Sequence, residues 1–229
     1  MSSYRRTGLD SRSLAGVAVF GALSVVLTLI SQALGLNFPI VTYLQFDLGE
    51  IAILLAFFIF GPVPALIAAF IEFATLAALG VNAAFFGPEL KLIAILSSLL
   101  GVWVGVVAVR RMREPTIKKA VGLGSVLGIV IRAAAMTVPN YLLIIFLITV
   151  SGTLGAVQGS FKLIGITPTE SNVLVLALVM TAVFNALQFA FVSLVTYGIV
   201  SLPQIQSTRA AGRKPWIASY LQKRGPQVT

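Results

Sequence analysis

The chain has 229 residues, 58% of them hydrophobic and only 10% charged, a balance that lies far outside water-soluble globular domains and marks an integral membrane protein. Cysteine and histidine are both absent, which excludes disulfides, thiol nucleophiles, haem ligation and nearly every transition-metal site. With seven acidic residues scattered along the chain, paired-carboxylate hydrolysis has little to work with, so no enzyme is expected. The net charge of +9 would suit either nucleic acid or a membrane surface, and the position of the basic residues decides for the membrane.

In chain order, residues 1–13 form a polar segment with Arg5, Arg6 and Arg12, and Leu14 to Gly35 then runs without a charge, long enough to span a bilayer. The apolar run exceeds the 7–15 residues or so of a signal peptide, so it reads as a first transmembrane helix. Asn37 to Leu48 is too polar for lipid and too apolar for an ordinary solvated loop, and is expected to fold back over the bundle. Ile51 to Phe60, a tight break at Gly61-Pro62, and Val63 to Leu79 read as a helical hairpin, the second and third spans. Leu92 to Val109 is the fourth span, followed by a basic connection with Arg110, Arg111, Arg113, Lys118 and Lys119. Ala120 to Val150 is a fifth, apolar segment carrying Arg132 and interrupted at Pro139-Asn140. Ser151 to Ser171 is a polar loop, and Asn172 to Leu202 is the sixth span.

The expected fold is therefore an all-α integral membrane protein, a six-transmembrane-helix bundle over 14–202 with a basic tail at 203–229. If the helices alternate in direction, thirteen of the sixteen basic residues fall on one side, leaving Lys91, Arg132 and Lys162 elsewhere. The positive-inside rule makes that side cytoplasmic, with both termini on it and the protein in the cell membrane. In the tail, Trp216, Ile217, Tyr220 and Leu221 flanked by Lys214, Lys223 and Arg224 suit either an interfacial helix on anionic lipid or a disordered basic segment.

Hydrogen-bonding side chains buried at membrane depth need a reason. Counting about 1.5 Å per residue from the outer ends of two antiparallel helices, Asn140 and Asn185 lie at about the same level, and Gln188 nearly one turn deeper on the face of Asn185. The amides could be interhelical glue or could line a ligand cavity. Pro139 favours the cavity, because it frees a carbonyl one turn earlier that also wants a donor. Glu72 is an intramembrane carboxylate that would face the same cavity, remain neutral, or pair with Arg132. Ala18 and Ala22 form a small-xxx-small pair suited to close helix packing, inside the bundle or against another subunit; Gly101 and Gly105 form a similar pair.

Tyr43-Leu44-Gln45-Phe46-Asp47 and Phe58-Ile59-Phe60-Gly61-Pro62 resemble the first loop and second helix of the substrate-binding S components of energy-coupling factor transporters, particularly the riboflavin-specific group. Met136-Thr137 with Asn140-Tyr141 is similar to that group's fifth helix, Phe184-Asn185 to its sixth, and Ala18-xxx-Ala22 to the alanine motif that docks on the shared coupling subunit. The resemblance implies a six-helix protein that captures a vitamin from outside, with the first loop closing over the site. It implies Tyr43, Leu44, Phe46, Asp47, Glu72, Asn140, Asn185 and Gln188 as substrate-binding residues, and Ala18 and Ala22 as partner-binding ones. It also implies a transmembrane coupling subunit and two ATPases as partners. ATP is used there, and no cofactor, metal or nucleic acid is expected on this chain, which has no phosphate-binding loop of its own. Two positions depart from the riboflavin pattern: Gln188 stands where lysine is usual, and Glu72-Phe73 where a lysine-asparagine pair is familiar. Riboflavin is the leading substrate; another vitamin or precursor, or a structural membrane protein held by its buried amides, are the alternatives.

Overall fold

The computed structural model describes residues 10–39, 44–81, 86–151, 161, 165–167, 169, 172–202 and 214–222, with backbone alone at 147–151. Tyr43, most of the Ser151 to Ser171 loop, residues 1–9 and the flanks of the tail lie outside the described residues.

Among the described residues six apolar helices follow one another: α1 (Ser11–Ala33), α2 (Gly49–Phe60), α3 (Pro62–Ala78), α4 (Gly87–Arg110), α5 (Ile117–Ser151) and α6 (Val173–Val200), with a short α7 (Trp216–Leu221). α1, α4, α5 and α6 are long and apolar enough to cross a membrane, whereas α2 and α3 are shorter, at 12 and 17 residues. The outward faces are apolar on every side, with Val19, Phe70, Leu100, Val138 and Leu194 exposed on five different helices. Such a surface suits hydrocarbon and not water.

α2 is the centre of the bundle. Ala52 through Phe58 are all buried, as a helix apolar all round demands, and α2 packs against α1, α3, α6 and α7. Its shortness has a cause. The loop before it ends at Asp47, whose peptide hydrogen-bonds Gln188, about 22 Å along α6 from Val173. The chain therefore starts α2 from mid-bundle, and fewer residues bring it to the Gly61 end. At its other end Gly61 (φ 104°) turns the chain in a conformation that favours glycine, and Pro62 opens α3 where no backbone donor is needed.

α4 and α5 form the most extensive helix pair. Gly101 and Gly105 of α4 face Gly128 and Gly124 of α5 so closely that a Cβ on either α4 glycine would fall 2.5 or 2.4 Å from the opposite Cα. The glycine pair thus serves packing within the bundle. The alanine pair does not: Ala18 and Ala22 are exposed on the outer face of α1, whose buried face carries Gly16, Val17, Gly21, Ser24 and Thr28.

Two expectations are corrected. Pro139 does not interrupt the fifth segment, because α5 continues through it for 35 residues, about 52 Å. Polar side chains on either side bond carbonyls one turn earlier, Thr137 Oγ1 donating to the Ala133 oxygen (3.0 Å) and Asn140 Nδ2 to the Met136 oxygen (2.7 Å). The tail's aromatic segment is neither laid on lipid nor without structure. α7 buries Ile217 and Leu221 in the core, sets the Trp216 indole against Gly61 and Phe57, and stacks Trp216 on Tyr220. Arg110 lies 4.2 Å above the Tyr220 ring, a cation–π contact at the end of α4.

Candidate functional site

At the end of the bundle opposite Gly61, a cavity of about 300 Å³ opens between α1, α4, α5, α6 and the loop after α1, within the range of small-molecule sites. The loop is built as a narrow antiparallel hairpin: Phe38 N donates to Leu44 O (2.7 Å), Phe46 N to Leu36 O (2.8 Å), and Asn37 pairs with Gln45. α1 holds it from one side, through Gln45 Nε2 to the Ser31 carbonyl (2.8 Å) and Leu48 N to Ser31 Oγ (2.9 Å). α6 holds it from the other. Phe38 and Phe46 pack on Phe184 with ring centroids 5.5 and 5.1 Å away, and Gln188, one turn further on the same face, takes both polar atoms of the Asp47 peptide.

Of the residues expected in the site, Leu44, Asp47, Asn140 and Asn185 line this one cavity. Asn140 and Asn185 share it without bonding to each other. Asn185 Nδ2 donates to the Thr181 carbonyl (2.9 Å) and its Oδ1 accepts from Arg132 Nε (3.0 Å). Asn140 Oδ1 is buried and has no hydrogen-bond partner. A buried acceptor left in that state costs about 1–3 kcal/mol, and a donor arriving in the cavity would relieve it.

Gln188, Phe46 and Glu72 do not line the cavity. Gln188 is consumed by the loop, Phe46 faces Phe184, and Glu72 stands behind Lys91. Glu72 does not pair with Arg132; its Oε1 is 2.6 Å from Lys91 Nζ and within 2.8 Å of Thr28 Oγ1. Lys91 also forms an ion pair with Asp47, so a single ammonium ties α3, α4 and the loop together. Arg132 pairs instead with Glu50 of α2 through its two terminal guanidinium nitrogens, one at 2.9 Å, and lines the cavity beside Asn185.

Lys91, Glu50 and Arg132 are the lining charges that sequence reasoning left unassigned. The signal available was that Lys91 and Arg132 fall away from the basic face, and that buried charges come in pairs. Among the described residues, Asp47 and Glu50 against Lys91 and Arg132 give the lining two charges of each sign, with Glu72 behind them. Such a lining offers paired donors and acceptors with no net charge of its own, and suits an uncharged ligand rich in polar groups. Among the described residues no cluster of side chains suits a metal ion.

A family model described as ECF transporter, substrate-specific component, matches residues 12–200. No curated protein matches the sequence significantly. Among solved structures, the fold is similar to one titled "Structure and mechanism of the S component of a bacterial ECF transporter", at a TM-score of 0.59 and 20% identity over 94% of this chain and 100% of that one.

Proposed function

From the premise that this chain belongs to the family of substrate-specific components of energy-coupling factor transporters, we propose that it captures riboflavin in the cavity between α5, α6 and the α1–α2 loop. Members of this family bind a small molecule and work with a transmembrane coupling subunit and ATPases. The observation that carries the substrate reading is the unpartnered Asn140 Oδ1 on a wall whose lining charges balance. An uncharged ring system bearing N–H and hydroxyl groups supplies the missing donor, and asks for no countercharge.

The aromatic ring of Phe184 and the aliphatic side chain of Leu44 give the same cavity an apolar side for a ring to lie against. Gln188 in place of lysine does not oppose this reading, since the residue supports the loop and does not line the cavity. For the partner, the exposed Ala18 and Ala22 supply a flat strip on which a neighbouring helix of the coupling subunit can pack closely. The loop end of the bundle then faces outward and the basic end, with Arg110 and α7, faces the cytoplasm.

Protein purified from flavin-replete cells is expected to carry a flavin absorption spectrum, and flavin-free protein to quench added riboflavin fluorescence. Colourless protein that leaves the fluorescence unchanged removes riboflavin and leaves another uncharged, polar small molecule to be sought.

A further inference from the structure

We propose that Gln188 is a positioning residue that clamps the α1–α2 loop over the cavity and sets how often the cavity opens, without touching the ligand. Its side-chain amide lies against the Asp47 peptide as a neighbouring strand would: Oε1 accepts from the Asp47 N–H (3.2 Å) and Nε2 donates to the Asp47 carbonyl (2.7 Å). Gln188 is fully buried, so neither bond is exchanged for one to water while the loop stays closed.

Asp47 is the point where the loop is most firmly held. Its carboxylate pairs with Lys91 of α4, accepts from Gly49 N (2.6 Å) and lies 2.9 Å from Thr28 Oγ1 of α1, while its peptide is held by α6. The same residue lines the cavity. Opening at this end therefore requires release of a side-chain set and a backbone set of bonds together, and Gln188 provides all of the second set that comes from α6. The residue acts through Asp47, so its loss changes the rate of access and leaves the cavity wall intact.

This rests on the cavity being a small-molecule site, but the test needs no ligand. The sequence contains no cysteine, so Met136→Cys on the cavity wall gives the protein a single thiol, and Ala68→Cys gives one in the closed core beside α2. The full chain in detergent is treated with a small charged methanethiosulfonate, with and without Gln188→Met. Losing two buried hydrogen bonds at near-constant side-chain volume should raise the rate at position 136 by about tenfold or more and leave the rate at 68 unchanged. If Gln188→Met does not fold, Gln188→Glu, which removes the donor to the Asp47 carbonyl, is read in the same way. An unchanged rate at 136, or an equal rise at both positions, overturns the proposal. Failure of riboflavin to bind leaves either outcome readable, which separates this test from that of the substrate.

Discussion

Gly101 of α4 and Gly128 of α5 meet backbone to backbone: a Cβ added to Gly101 would lie 2.5 Å from the Gly128 Cα, with no flexible side chain to move aside. Gly101→Ala should force the helices apart and cost about 1–3 kcal/mol of stability, read as a lower unfolding midpoint in detergent. Gly122→Ala is the control, because nothing lies within 4 Å of a Cβ there. It should be neutral or stabilising by about 0.5–1 kcal/mol, from helix propensity alone. Equal effects at the two positions would mean that the crossing is looser than described.

The two asparagines of the cavity should respond differently to alanine. Asn140 makes one bond within its own helix and leaves an oxygen unpartnered, so Asn140→Ala should weaken riboflavin binding about tenfold while leaving thermal stability unchanged or slightly raised. Asn185 is the acceptor for Arg132 Nε, and Asn185→Ala should lower stability by about 1–3 kcal/mol as well as binding. Fluorescence titration and thermal melting of the same preparations separate the two outcomes.

Ala18→Trp and Ala22→Trp place a large ring on the exposed face of α1, away from the cavity. Substrate binding by the isolated protein should be unaffected, and uptake into cells that also contain the coupling subunit and ATPases should be abolished. Uptake at the wild-type rate in both variants would move the contact surface to another helix.

Breaking the Glu50–Arg132 pair from one side leaves a charge without its partner in the membrane interior. Arg132→Met should cost about 3–5 kcal/mol. Adding Glu50→Leu to that variant should recover a large part of the loss, since the second change removes the stranded carboxylate. A double-mutant cycle on unfolding in detergent measures the coupling, and additive losses would show that the two residues act independently.

Much of the helical layout is legible in the sequence, because lipid demands long apolar runs and Gly61-Pro62 punctuates one of them unambiguously. Depth is legible for the same reason, and counting along antiparallel helices brings Asn140 and Asn185 to one cavity. Azimuth is not. All-round apolar helices do not reveal which face meets which neighbour, so Glu72 could be set beside Arg132 when its partner is Lys91, near the start of α4. Nor does counting show that a loop descends to mid-bundle, which is why Gln188 read as a ligand residue and not as a support for Asp47. Pro139 was legible as a residue and misleading as a signal, since the helix runs through it to Ser151.

The buried Glu50–Arg132 pair joins residues 82 positions apart, and this bears on how the protein is made. Placing a lone arginine at the middle of a membrane helix costs about 2.5–3.5 kcal/mol during insertion, and Arg132 sits well inside α5. α2, with its carboxylate, is synthesised three helices earlier. The pair that covers both charges can therefore form only after α5 has been made, with the second helix supplying the counterion for the fifth.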